Sequence, residues 1–267
     1  QHVANALLRG IADDVPLEEM LAKSFAVDAR LTRRDVQIGA LLGCLEMIRS
    51  GTTSFQDLFY WEDEVARAVR ESGMRGFLSW VTLDPESTTQ HGDPVKNADA
   101  FVAKHAGDPL VTPSVGVQGV YVASEETLHR AQEVAARRGV RLHMHLSETR
   151  KEVYDHVAKT GRRPAEWLES IGFLDPRLNV AHGVWLTLNE VRTLASRSAE
   201  AAKEIKALIQ DSVARVSEGT QVVNESGATF EQVVLAVKKV GQIIAEIAAA
   251  SGQQATGIDQ VGTTISK

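Results

Sequence analysis

Apolar and polar positions follow two rhythms along the chain. Up to about Leu188, short apolar runs alternate with stretches where apolar residues recur every three or four positions. From Val191 onward one three-four spacing continues to the end. In the first part, Thr32 with Asp35 opens a helix in which Ile38, Leu41, Leu42, Leu45 and Ile48 form one apolar stripe. Ser50-Gly51 ends it, glycine suiting the left-handed position after a helix. Strands are expected at Thr52–Phe55, Gly76–Leu83, Val111–Val117, Val140–Leu146 and Asn179–Val184. Between them Ser124 caps a helix that runs through Arg138 and stops at Gly139, Thr149 and Glu152 form a capping box, and Pro164 suits a first helical residue. Such alternation implies a parallel sheet with helical crossovers, about five or six units where a closed barrel has eight.

The second rhythm is that of a coiled coil. One seam runs through Ala195, Ala202, Ile209, Val216 and Val223 to Ile265, the other through Val191, Ser198 and Ile205 to Val261. The register holds over about ten heptads. A helix of that length measures roughly 110 Å and cannot cover its own apolar stripe, so self-association through residues 191–265 is expected. The change falls between Trp185 and Leu194, and all 7 prolines and 4 tryptophans lie at or before Trp185. Two units, 1–188 and 189–267, are therefore expected, joined at a seam where two partial coding regions meet.

Composition narrows the picture. A formal charge of -6 argues against a nucleic-acid surface, which needs clustered Lys and Arg. Cys44 is the 1 cysteine, which excludes an internal disulfide or a cysteine-rich zinc site and suits a reducing, cytoplasmic setting. No apolar run approaches the ~20 residues of a membrane span, and no basic-then-apolar leader precedes the first element. The chain opens at Gln1 inside a patterned segment, so an upstream start is expected.

Two of the expected strands carry candidate chemistry. Period two places Arg141, His143 and His145 on one face, opposite Val140, Leu142, Met144 and Leu146. Glu148 follows just past the strand's C-terminal end, where parallel α/β folds build their sites. His182 lies near the end of the next strand, and His2 stands at the start of the chain. Imidazole suits zinc and iron, which lower the pKa of bound water, and a nearby carboxylate can carry that water's proton to a leaving amine. Spacing alone leaves the plainer alternatives open: hydrogen-bonded core histidines, and a solvated acid at a helix start.

The runs His143-Met144-His145-Leu146-Ser147-Glu148-Thr149, Asn179 to Thr187 and His2 to Glu19 resemble the amidohydrolase superfamily. The branch they resemble contains methylthioadenosine/S-adenosylhomocysteine deaminases and triazine hydrolases. The resemblance implies an α/β fold, here an incomplete (β/α)8 TIM-type barrel followed by a long coiled-coil-type helix. It implies one weakly bound divalent metal, zinc or iron, held by His2 and His145. Glu148 and His182 would be catalytic, on a small-molecule substrate with a purine- or triazine-like ring. His143 has no firm family role and would either support the ligands from behind or be structural. Where many relatives read Pro-His-x-Pro-Tyr this chain has Val117-Gln118-Gly119-Val120-Tyr121, so Gln118 takes a substrate-binding position. The first His of the family's His-x-His pair and the metal-binding Asp of its eighth strand have no counterpart, which implies impaired catalysis.

The second unit resembles the signalling domain of methyl-accepting chemotaxis proteins. Glu190 to Ile205 and Ile247 to Val261 carry that likeness, which covers only the descending arm of the family's helical hairpin. In this resemblance Gln253 and Gln254 match a methylation pair.

Overall fold

The computed structural model describes residues 1–196, 198–199, 220, 238–240, 242–244 and 247–258. The chain divides into two compact units, Gln1–Ala201 and Ala202–Lys267. In the second unit the described residues are helical, and the heptad run expected over 191–265 falls largely on residues outside those described. No helix among the described residues is long and apolar enough to cross a membrane.

The first unit opens with a 3-10 turn, Val3–Leu8, followed by α1 (Leu17–Asp28) and α2 (Arg33–Arg49). Then come β1 (Ser54–Phe59), α3 (Glu62–Ser72), β2 (Arg75–Thr82), α4 (Pro94–Lys104), β3 (Val111–Val117) and α5 (Glu125–Arg138). The unit continues with β4 (Leu142–Leu146), α6 (Arg150–Thr160), α7 (Pro164–Ser170) and β5 (Leu178–His182), and helix resumes at residue 188. The 5 strands are parallel and lie in chain order β1-β2-β3-β4-β5, a curled half-barrel with helices outside. The expected α/β alternation is thus present, with β3 on the residues predicted for it.

Local chemistry accounts for the boundaries. The Thr32 hydroxyl accepts from the Asp35 amide and the Asp35 carboxylate accepts from the Thr32 amide, a closed capping box. Ser124 caps α5 through the Thr127 amide, and Gly139 ends it at φ 67°. Along the strands, Leu58, Leu78, Val115, Leu142, Met144 and Leu146 are fully or almost fully buried.

The face of α2 is a correction. Ile38, Leu45 and Ile48 are 40%, 54% and 47% exposed, while Val36, Ala40, Gly43 and Cys44 form the buried side. The reason is the close approach of the first 3-10 turn. A Cβ added at Gly39 would stand 2.2 Å from the Ala4 carbonyl oxygen, and one at Gly43 would stand 2.4 Å from Val3 Cγ2. Small residues admit that turn; Ile38, Leu45 and Ile48 are left outside, while Leu41 is partly buried against the core.

The stretch 185–194, where the sequence rhythm changes, is packed into the first unit. Thr187 and Glu190 form a second closed capping box, with the Glu190 carboxylate accepting from the Thr187 amide at 2.7 Å. The Glu190 side chain is 1% exposed and is paired at 2.8 Å with Arg163 Nε at the start of α7. Arg163 also donates to the Trp185 carbonyl, and Leu194 packs against the core.

Candidate active site

Three histidines meet at the C-terminal edge of the half-barrel. His2 lies beside β1, where the Leu58 amide donates to the Gln1 carbonyl. The His2 Nδ1 donates to the Leu58 carbonyl at 2.6 Å. On β4, His145 Nδ1 donates to the Gln118 carbonyl at 2.9 Å. A carbonyl only accepts, so each ring carries its proton on Nδ1 and leaves Nε2 as a bare lone pair. The His2 and His145 rings lie 5.2 Å apart, and His182 stacks on His145 at 5.1 Å.

Burial sets the protonation of these rings. It pushes His2 down to about 3, helped by neighbouring His145, and pushes His145 down to about 4. His143 falls to about 4 for the same reason, and its Nδ1 faces the Asn179 carbonyl at 3.3 Å. Neutral imidazoles with fixed tautomers are what a metal ligand requires.

His182 is mounted differently. It ends β5 at φ 70°, a left-handed conformation that non-glycine residues adopt at a cost. Its Nε2 stands 3.6 Å from Glu148 Oε1. Burial raises the Glu148 carboxyl, with His182 opposing and Glu152 reinforcing the shift. Ser147, between β4 and Glu148, is also left-handed at φ 51°.

His2, His145, His182, Glu148 and Gln118 line one cavity of about 380 Å³, within the range of small-molecule sites. Gln118 contributes twice: its carbonyl orients His145, and its side-chain amide donates to the Tyr121 hydroxyl at 3.0 Å. Leu17, Met20, Leu21 and Phe25 of α1 give the cavity an apolar wall. Gln253 and Gln254 are exposed helical residues of the second unit.

Two residues that sequence reasoning missed also face the cavity. Asp28 is buried and its Oδ1 has no hydrogen-bond partner; burial raises its carboxyl to about 6. The Asn5 Oδ1 is likewise buried and unpartnered. No periodic signal marks an acid at the end of an amphipathic helix as a site residue. The orphaned oxygens become visible only once β1 and α1 are packed, with the Tyr60 hydroxyl on the Asp28 carbonyl at 3.2 Å.

The donor set fits zinc or iron in kind. His2 and His145 present neutral Nε2 atoms, held by carbonyls behind them, into a shared cavity. In number it is short: among the described residues no group of three or more His, Cys, Asp or Glu side chains converges well enough to hold a metal ion. Beneath His2, Asp57 accepts from the Val3 amide at 2.8 Å, and burial raises its carboxyl to about 7.

The model of the amidohydrolase family matches residues 1–259, which includes the position near 189 where a junction is expected. A 5′-deoxyadenosine deaminase of Methanothrix thermoacetophila is 45% identical over 204 residues, 75% of this chain and 48% of that protein. A 5-methylthioadenosine/S-adenosylhomocysteine deaminase of Pyrococcus furiosus is 38% identical over 201 residues, 74% of this chain and 48% of its own length. The chain spans about half the length of the curated relatives it matches. Among solved structures, a zinc-bound adenosine deaminase of Xanthomonas campestris superimposes with a TM-score of 0.69 at 29% identity, covering 73% of this chain and 46% of that one. A zinc-complexed atrazine chlorohydrolase of Arthrobacter aurescens, at 22% identity and a TM-score of 0.63 over 74% of this chain and 50% of its own, shares the fold.

Proposed function

The chain belongs to the amidohydrolase family, and from that premise we propose that it carries part of a metal-dependent deaminase site acting on an adenosine-like nucleoside. The observation that carries the reading is the pairing of Glu148 with His182 at 3.6 Å in the cavity that His2 and His145 share. His2 and His145 would hold one zinc or iron ion. That ion, when bound, supplies the positive charge that makes water reactive near neutral pH. Two protein imidazoles are fewer than the usual three ligands of a catalytic zinc, so binding is weak and turnover impaired.

The chain's own groups divide the remaining work. Glu148, at the cavity wall, accepts a proton from the attacking water and returns it to the leaving nitrogen. One C–O bond forms, one C–N bond breaks, and ammonia leaves. His182 donates to or accepts from the reacting oxygen on the far side of Glu148. The Asp28 carboxylate, unpartnered and facing the cavity, accepts from hydroxyls of a bound nucleoside. Gln118 contacts the ring. The apolar wall of α1 favours an apolar 5′ end, in keeping with the 5′-deoxyadenosine in one relative's name.

The test is ammonia release from 5′-deoxyadenosine, 5′-methylthioadenosine and adenosine by chain reconstituted with zinc or iron. Slow, metal-dependent release that prefers the methyl and methylthio 5′ ends to the 5′-hydroxyl of adenosine is expected. Purified chain that retains no metal and releases no ammonia refutes the reading.

A second reading concerns residues 189–267. The helical conformation of residues 247–258, with Ile247, Gln253, Gln254 and Ile258 exposed, supports a chemoreceptor-type arm that pairs with a second helix in the cytoplasm. The family match through residue 259 overlaps this span. Sedimentation equilibrium tests it: a monomer at all concentrations excludes helix pairing.

A further inference from the structure

Among the described residues, three places have a threonine followed three residues later by an acid at the start of a helix, and one of them is built differently. At Thr32–Asp35 and Thr187–Glu190 the acid closes back on the amide of its own threonine. At Thr149–Glu152 the threonine hydroxyl accepts from the Glu152 amide at 3.0 Å, which caps α6. The Glu152 carboxylate, however, reaches further upstream. Its Oε1 accepts from the Ser147 amide at 3.0 Å and its Oε2 from the Glu148 amide at 2.8 Å. Both oxygens are engaged, and the residue is 7% exposed.

The two amides belong to the turn that carries Glu148. Ser147 holds a left-handed φ of 51° in that turn. Its carbonyl accepts from the Trp185 amide, and the Leu146 carbonyl accepts from the Gly183 amide, each at 2.9 Å. The same turn therefore ties the end of β4 to the end of β5, where His182 sits. A carboxylate receiving two backbone N–H groups is a charge-assisted, geometrically specific clamp. Without it, only the carbonyl bonds to Gly183 and Trp185 hold the turn, and the Ser147 and Glu148 amides that set the direction of Glu148 lose their acceptor.

We propose that Glu152 is a positioning residue for the reaction: through the Ser147 and Glu148 amides it holds the Glu148 carboxylate against His182. The inference rests on the reading of Glu148 as the proton-transfer acid. Glu152 itself touches neither the cavity nor the reacting atoms. The negative charge of Glu152 also opposes ionisation of Glu148, in keeping with this arrangement.

The experiment compares the full chain with E152A, E152Q and T149A. Three quantities are read: amide hydrogen exchange at Ser147 and Glu148, the ¹⁵N signals of the His182 ring, and kcat and KM for ammonia release by metal-loaded protein. In E152A, exchange at the two amides should accelerate at least about tenfold and the His182 signals should move, with kcat falling about 10–100-fold and KM little changed. E152Q keeps one acceptor oxygen and should fall between E152A and the native chain, which preserves the test if E152A does not fold. T149A removes only the helix cap; it should lower Tm yet leave exchange at Ser147 and Glu148, and kcat, within about twofold. Unchanged exchange in E152A, or T149A and E152A falling together in kcat, overturns the proposal. A native chain that releases no ammonia strikes the proposed reaction alone, and exchange and the His182 signals then decide whether Glu152 holds the turn.

Discussion

The ends of β4 and β5 place histidines side by side, 5.1 Å apart, and mount them in opposite ways. His145 sits within a regular strand, 5% exposed, with one ring nitrogen tied to the Gln118 carbonyl. His182 sits at a left-handed backbone position, its side chain 36% exposed, facing the Glu148 carboxylate. A ring that must present a fixed lone pair is best buried and anchored from behind. A ring that must exchange protons with an acid is best left in reach of water and of that acid. The lesson is that chemically identical side chains on adjacent strands acquire separate roles from backbone conformation and from what stands behind the ring.

Replacing each histidine breaks the comparison most directly. His145→Asn should abolish stoichiometric metal uptake, and with it ammonia release. His182→Asn should leave metal content intact and reduce kcat about a hundredfold. Zinc uptake by equilibrium dialysis at saturating zinc, beside the ammonia assay, separates the two. Equal loss of metal in both variants would end the distinction between anchored and free rings. Glu148→Gln should cost ~10²–10⁴ in kcat, about 3–5 kcal/mol of barrier and at least as much as His182→Asn, with metal retained.

Much of this arrangement was legible in the chain, and the parts that were not share a cause. Alternation placed His143 and His145 on one face, and the position of Glu148 past a strand end was readable from the run of polar residues after Leu146. Helix caps at Thr32 and Ser124 and the stop at Gly139 were legible because they depend on neighbours within a few residues. The buried face of α2 was hidden because the contact that decides it involves Val3 and Ala4, more than thirty residues away. Asp28 was hidden for the same reason. Glu190 is the subtler case. The sequence reading gave it to the receptor-like run, yet its carboxylate is buried on Arg163. Thr187-x-x-Glu190 was itself a readable helix start, but a cap signal does not say what the helix packs on.

Glu190 also provides a smaller test. Arg163 ties the loop after His182 to α7 through the Trp185 carbonyl and the Glu190 carboxylate. Arg163→Met should lower unfolding stability by about 3 kcal/mol, because it leaves a buried acid without its partner. Urea denaturation measures this. The β5 end should feel the change more than the β4 end, so His182 ring signals should shift more than those of His145. A variant as stable as the native chain would mean that the ion pair contributes little to holding the β5 loop.

The weakest expected effect concerns acid. His145 titrates near 4 in the folded protein against 6.5 for a free imidazole, because burial penalises the charged ring. Between those values the unfolded chain takes up the proton and the folded chain does not. The stability associated with His145 is therefore intact above pH 6.5 and declines as pH falls towards 4, by about 3 kcal/mol at most. Asp28 works in the opposite sense. Its carboxyl is raised to about 6 from 3.8, so the folded form binds a proton first and gains relative stability as pH falls from 6 towards 4. The two slopes offset each other, and the native profile should be shallower than either alone. Urea midpoints at pH 7, 5.5 and 4.5 should then show His145→Asn losing less with acid than the native chain and Asp28→Asn losing more. Parallel profiles for all three proteins would mean that neither side chain is held in the buried environment described, and the anchored ring would lose its physical distinction from His182.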